Sequence, residues 1–227
     1  MQTLRQYTKN FLVDALRNEA TQLGLDIPDQ VIPRLAAYAA SLWEWNTRLN
    51  LTRHTDVQQF VERDITDTAA LCPHINTNDH ILDVGTGGGV PGVVLAILRN
   101  DITVELSDTS TKRVAALQSI LNEINLPLKI HHQPAQQVVL TAMEYNLPFH
   151  TLVIRAVAPL RKLLTWFEPI RDSFDRLLII KGPRWELEKQ EARHHGLLKT
   201  VTARRLASWP IPHSDTESVL LEVKKRT

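Results

Sequence analysis

A single cysteine, Cys72, stands among 227 residues. One thiol builds no internal disulfide framework and no cysteine metal cluster, and a reducing cytoplasm is the expected compartment. No apolar run approaches the length of a membrane span. The opening stretch, MQTLRQYTKNFLVDALRNEA, is broken by charge every few positions and is not expected to be a signal peptide. Charge of one sign is also missing: 26 Lys and Arg face 25 Asp and Glu. No global basic field marks the chain as a polyanion binder, although a local patch would suffice. The basic runs RRL (204–206) and KKRT (224–227) read as solvated surface or tail. No repeat and no low-complexity linker divides the chain. Glycine is scarce, with eight in all. Five of them, Gly85, Gly87, Gly88, Gly89 and Gly92, crowd into one short stretch.

The organisation changes near residue 70. Before it, apolar spacing is helical. A first helix is expected over about 3–23, with Gly24 as its stop. A second carries Leu35, Ala39, Leu42 and Leu49, with Pro33 in its first turn, and a third covers about 56–71. The neighbouring tryptophans Trp43 and Trp45 suit a core or a docking surface. From about 71 onward, short strand-like runs appear: 80–84, 103–108, 128–132, 151–155 and 176–182. Helical patterns lie between several of them, the clearest with Val114, Leu117, Leu121 and Ile124 on one face. This alternation predicts an α/β fold with a parallel sheet and helices on both faces. Two last runs, 199–209 and 218–224, suit a closing antiparallel pair. The expected division is a helical N-terminal extension, 1–70, and a ligand-binding core, 71–227.

In such sheets ligands bind beyond the carboxyl ends of the strands, near a switch in strand order. The glycine stretch follows the first strand, as LDVGTGGGVPG (82–92). Gly87, Gly89 and Gly92 satisfy the dinucleotide pattern, but that ligand's pyrophosphate must rest on bare N–H groups. A carboxylate at the strand end, Asp83, would repel it. S-adenosylmethionine has no phosphate and carries a sulfonium and an ammonium, which Asp83 suits. Gly85, Gly87 and Gly89 would let the backbone approach the methionyl part, and Pro91 fits the next helix's first turn. Asp108, ending the second strand, can take ribose hydroxyls in either cofactor class.

Missing chemistry narrows the reaction. Carbon-5 pyrimidine methylation needs a thiolate, and Cys72 lies before the first strand. Exocyclic amine methylation uses a polar-Pro-Pro-aromatic turn after the fourth strand, where this chain has IRAVAPL. His131 and His132 point to opposite strand faces, and His194 and His195 lack partners, so no metal site is expected. Arg155 and Lys181 end the fourth and fifth strands. They would hold an anion, orient a base, or pair with an acid such as Asp83. Cationic anchors without an evident general base suit an acceptor with a free lone pair, such as a ring nitrogen. Catalysis would then be mainly alignment.

The ordered set WEWNTRLNLT (43–52), ITDT (65–68), ILDVGTGGGVPGVVLAI (81–97), LSDTSTKRVAAL (106–117), IRAVA (154–158) and IKG (180–182) resembles the bacterial small-subunit ribosomal RNA guanine-N7 methyltransferase G family, also called glucose-inhibited division protein B. The resemblance runs from about residue 35 to the last strand. It implies a Rossmann-like methyltransferase fold with a seven-stranded, mostly parallel sheet. It implies methyl transfer from S-adenosylmethionine to N7 of a guanine in 16S ribosomal RNA. The implied cofactor contacts fall on Gly85, Val90, Asp108, Ala135, Gln136 and Arg155, beside Asp83 and Gly87 from the loop chemistry. Lys181 would face the RNA or the target base. The chain departs from the family pattern at Asp64 (usually His), at Gly88 (more often Pro or Ala), at Gln136 (often acidic) and at Ser218 (usually Arg, a place that Arg204 or Arg205 could fill). A small-subunit particle is the implied partner, with no membrane and a monomeric enzyme. Two other readings stay open: a methyltransferase acting on another RNA or a small molecule, and a non-catalytic RNA-binding or assembly factor. A nicotinamide-dependent dehydrogenase stands further off.

Overall fold

The computed structural model describes residues 2–226, with side chains from Asn10 onward. Its centre is a seven-stranded sheet in the order β3-β2-β1-β4-β5-β7-β6. The strands are β1 (His80–Val84), β2 (Thr103–Ser107), β3 (Lys129–His131), β4 (Phe149–Arg155), β5 (Phe174–Lys181), β6 (Val201–Pro210) and β7 (Glu217–Lys225). The first five are parallel. β7 lies antiparallel between β5 and β6, so the expected closing pair is present. Crossover helices α5 (Gly92–Leu98), α6 (Thr111–Glu123), α7 (Ala135–Glu144), α8 (Leu160–Phe167) and α9 (Trp185–His194) link the strands. The chain leaves β1 toward β2 and β3, then returns to β4 on the other side. The β1–β4 junction is therefore the switch point, where a crevice opens beyond the strand ends.

Strand alternation divides the core in two. Ile81, Val153, Leu178, Ile180 and Leu220 face one side, packed with α5 and α6 residues. Leu82, Val84, Leu152, Ile154, Leu177 and Ile179 face the other, packed with residues of α7, α8 and α9. The helical N-terminal part covers the first side. Leu35, Tyr38 and Leu42 of α2 (Ile32–Asn46) are fully buried in the same cluster as Ile81 and Leu106. Each such Leu contributes roughly 1.5–3 kcal/mol by leaving water. Before it, α1 (Gln2–Gln22) stops at Gly24, whose φ of +66° suits the glycine expected there. Pro33 sits in the first turn of α2, and Leu49, expected on that helix, lies past its end.

The third expected helix is not one regular helix. It comprises α3 (Val57–Gln59), a π-helical turn Phe60–Ile65, and α4 (Thr66–Ala69). Thr66 Oγ1 donates to the Val61 carbonyl at 2.8 Å, five residues back, along the widened turn. Phe60, Val61 and Ile65 are all fully buried. That spacing satisfies a π turn as well as an α turn, so periodicity did not separate them. The turn leads into Asp64 and Asp67, both buried beneath the end of β4.

Candidate active site at the switch point

The glycine loop is held from below by one carboxylate. Asp83 lies in β1, on the same side as Ile81, and is buried. Its Oδ2 accepts the Thr86 hydroxyl at 2.6 Å and the Gly92 N–H at 2.9 Å. Gly92 must lack a side chain, because a Cβ there would collide with Leu106 Cδ2 and stand 2.6 Å from Asp83 Oδ2. Asp83 Oδ1 has no partner among the described residues. Burial raises the carboxyl to about 6, although the Thr86 and Gly92 bonds and the Arg155 charge oppose the rise. A buried carboxylate with a spare oxygen is a receptor for a cation.

The upper loop is shaped for close approach. Gly85 and Gly87 have φ of +65° and +58°, and Gly85 is exposed at the crevice. A Cβ on Gly85 would stand 2.9 Å from Val157, in the turn after β4. Asp108, just after β2, accepts the Gly87 N–H at 3.0 Å through Oδ2 and the Ser110 N–H at 2.8 Å through Oδ1. It therefore ties the loop to the start of α6. The Tyr38 hydroxyl donates to the Gly88 carbonyl at 2.7 Å from α2. Burial raises Tyr38 well above an ordinary phenol, and the charges of Asp64 and Asp83 add to the rise, so it stays a donor. Val90 is half-buried before Pro91, which precedes α5. Ala135 is buried and Gln136 half-buried at the start of α7. These residues fit S-adenosylmethionine: they would offer a carboxylate to a cation and a glycine-rich loop for close approach, while the carboxylate would oppose a pyrophosphate.

Arg155 and Lys181, expected together, lie on opposite sides of the sheet. Arg155 shares the side of Val153 and Asp83. Its Nε donates to Asp67 at 2.8 Å, and its Nη1 donates to Asp64 at 2.7 Å. Its partners are acids of the N-terminal part rather than Asp83. Burial lowers the guanidinium's affinity for its proton, but the two carboxylates outweigh this and raise it. Asp64 Oδ1 also meets His54 Nδ1 at 2.8 Å, and Asp67 Oδ1 accepts the Trp209 indole N–H at 2.9 Å. Asp64 Oδ2 has no partner among the described residues. The next residue, Ala156, has φ of +54°, a strained conformation for a residue with a Cβ. Lys181 donates to the Ala158 carbonyl at 2.6 Å and pairs with Glu188 of α9 at 2.7 Å.

Tyr38, His54, Asp67 and Trp209 were not singled out from the sequence. Tyr38 carried a signal, since a phenol inside the apolar stripe of Leu35, Ala39 and Leu42 requires an acceptor. Ser218 is buried opposite Trp209 in the β6–β7 ladder. Arg204 pairs with Glu222 and Arg205 with Glu217. Cys72 is partly buried, and burial pushes its thiol to about 11, far from thiolate chemistry. His131 and His80 both meet Glu105 at the flank of the sheet. Among the described residues no group of three or more His, Cys, Asp or Glu is arranged to hold a metal ion. Among the described residues no helix is long and apolar enough to cross a membrane.

Comparison with solved structures agrees with this architecture. An O-methyltransferase from Bacillus cereus, solved with S-adenosylhomocysteine, superimposes with a TM-score of 0.59. It covers 83% of this chain and 91% of its own, at 18% identity. Human methyltransferase 10 domain containing protein superimposes with a TM-score of 0.56 at 12% identity, covering 86% of this chain and 97% of its own. Those likenesses establish the methyltransferase fold. Sequence relatives are nearer. A ribosomal RNA small subunit methyltransferase G of Rhodopirellula baltica is 40% identical over 88% of this chain and 85% of its own length. One from Yersinia pestis is 37% identical over 72% and 78% respectively. The family model GidB, described as rRNA small subunit methyltransferase G, matches residues 31–211 and so takes in the α2 floor, the glycine loop and the β4 cluster together. With that span matched and relatives at this identity, the chain belongs to the GidB family of rRNA small subunit methyltransferases.

Proposed function

We propose that this protein methylates N7 of one guanine in 16S ribosomal RNA, using S-adenosylmethionine, as a monomer in the cytoplasm. The observation that carries the reading is the buried Asp83, with its spare oxygen beneath a glycine loop at the switch point. When bound, S-adenosylmethionine supplies a methyl group on a positively charged sulfur. Asp83 would hold its ammonium. Gly85, Gly87 and Val90 would line its path, Asp108 would reach the ribose, and Ala135 and Gln136 would flank the adenine side.

The acceptor chemistry matches the charges of the site. Guanine N7 has an in-plane lone pair and no proton, so a residue that removes a proton is not required. The protein's task is to align the base and to stabilise charge. N7 methylation leaves a positive charge on the guanine ring. Asp64 and Asp67 face one guanidinium, which leaves their trio one negative charge in excess when His54 is neutral. Arg155 fixes the two carboxylates in place, and the excess charge complements the product ring. Lys181, tied to the Ala158 carbonyl, sets the turn after β4 from the other side.

Labelled methyl transfer to small ribosomal subunits lacking the modification tests this reading. The expected result is label at the N7 of a single guanine, located by chemical cleavage. Cofactor binding without label on any small-subunit substrate would overturn it.

A further inference from the structure

Helix α9 places Trp185, Lys189 and Arg193 four residues apart, on one face. Two of its three carboxylates are engaged elsewhere: Glu188 binds Lys181 and the Leu160 N–H, and Glu191 binds Arg161. Between α9 and the start of β6 runs a groove of about 560 Å³. Lys189, Arg193, Lys199 and Arg226 line it, and none of its lining residues is acidic. The cleft beside it adds one carboxylate, Glu186. Among the described residues no carboxylate pairs with Lys189, Arg193 or Lys199. In a chain of net charge +1 these cations are concentrated rather than spread. Their mutual repulsion is relieved by a polyanion.

The α9 stripe starts at the catalytic edge, and the groove lies further down it, where Thr202 and Ala203 are level, across β7, with Arg176 and Leu177 of β5. Trp185 follows Lys181 by four residues and carries cations against its ring. Lys189 Nζ stands 5.7 Å from the ring centroid and the Arg205 guanidinium 6.0 Å. Arg205 lies opposite Leu221, which lies opposite Ile179, two residues before Lys181. From Trp185 the stripe descends about 12 Å along α9 to Arg193. A cationic track headed by an aromatic ring is the arrangement that binds single-stranded nucleic acid, with phosphates on the cations and a base on the ring.

We propose that the α9–β6 groove holds the sugar-phosphate backbone of the rRNA strand that runs on from the catalytic edge down α9. This rests on the rRNA methyltransferase reading above. Lys189→Gln/Arg193→Gln removes two charges and keeps much of the side-chain stems. Binding to a small-subunit rRNA fragment is measured across a salt series. At about 0.7 per single-strand phosphate contact, the slope of log K against log salt falls by about 1.4, or about 14-fold in affinity at 0.15 M salt. Cofactor titration and thermal unfolding stay at wild-type values. Arg34→Gln/Lys162→Gln, exposed cations elsewhere, leaves the slope unchanged. Wild-type affinity and slope in the groove variant, or an equal loss in the control, overturns the groove while wild-type methyl transfer keeps the parent reading intact. A wild-type protein that neither methylates nor binds the RNA overturns both.

Discussion

Asp83→Asn separates the cost of the site from its use. The wild-type carboxyl is buried, and its folded value of about 6 stands above the ordinary 3.8. A raised acid binds its proton more tightly when folded, so folding is favoured at low pH and loses stability as pH rises from about 4 to about 6. The full difference, about 2 pH units, amounts to about 3 kcal/mol at pH 8. About 1 kcal/mol of that is already lost at pH 4.5, because the unfolded carboxylate is mostly ionised there. The asparagine has no such charge to bury. Its carbonyl can still accept from Thr86 and Gly92, while its NH₂ replaces the unpartnered oxygen. That exchange adds an offset independent of pH. The variant's stability relative to wild type should therefore rise by about 2 kcal/mol between pH 4.5 and pH 8. Urea unfolding at the two pH values measures it. S-adenosylmethionine titration of the same variant should show affinity lost, because an amide cannot pair with the ammonium. A stability difference that does not change with pH would refute the account of Asp83 as a strained buried charge. Wild-type cofactor affinity in the variant would refute its role as the cation receptor.

Four other outcomes follow from the same geometry. Arg155→Met leaves Asp64 and Asp67 buried without their cation and should cost about 3–5 kcal/mol at neutral pH by denaturant unfolding, with Asp67→Asn in the same chain recovering part of the loss. Gly92→Ala drives a methyl into Leu106 and Asp83, and should cost about 1–3 kcal/mol while weakening cofactor binding in titration. Tyr38→Phe deletes the bond to the Gly88 carbonyl, leaving that carbonyl short of a donor. It should lower stability by about 1 kcal/mol and raise the cofactor Kd. Cys72, pushed to about 11, should react with a thiol reagent at pH 8 roughly a hundred times more slowly than an exposed cysteine, and modification at the rate of a free thiol would contradict its burial.

The parts of the site that could be read from sequence are those whose constraints are local. Asp83, Gly85, Gly87 and Gly92 lie within ten residues, and their contacts are with one another and with the adjacent strand end. A buried acid followed by glycines therefore announces itself along the chain. Asp108 was found by position, at the next strand end, and the bonds its carboxylate accepts from the Gly87 and Ser110 N–H groups reflect that position. The β4 cluster was legible only in part. Arg155 could be placed at a strand end, but its partners lie 88 and 91 residues away. Pairing at that distance depends on which face the N-terminal helices cover. Strand parity held one further fact: Arg155 follows Val153 and Lys181 follows Ile179, and those two apolar residues point to opposite cores.

The N-terminal part is more than an addition to a nucleotide-binding sheet. It supplies Tyr38 to the glycine loop, Asp64 and Asp67 to Arg155, and the π turn that delivers both acids. A regular α-helix over 57–69 would also place residues three apart on one face, so the turn is not needed to align Asp64 with Asp67. What the wider turn changes is the phase between that pair and the buried Phe60 and Val61. The apolar residues anchor the segment against Tyr38 and Trp43, whose rings lie 6.0 and 6.1 Å from Phe60, while the acids turn toward β4. A single inserted phase shift thus lets one short segment face a hydrophobic wall and a cation at once. The charge excess beside the crevice depends on it: without the N-terminal acids, Arg155 would present an unpaired positive charge to a positively charged cofactor.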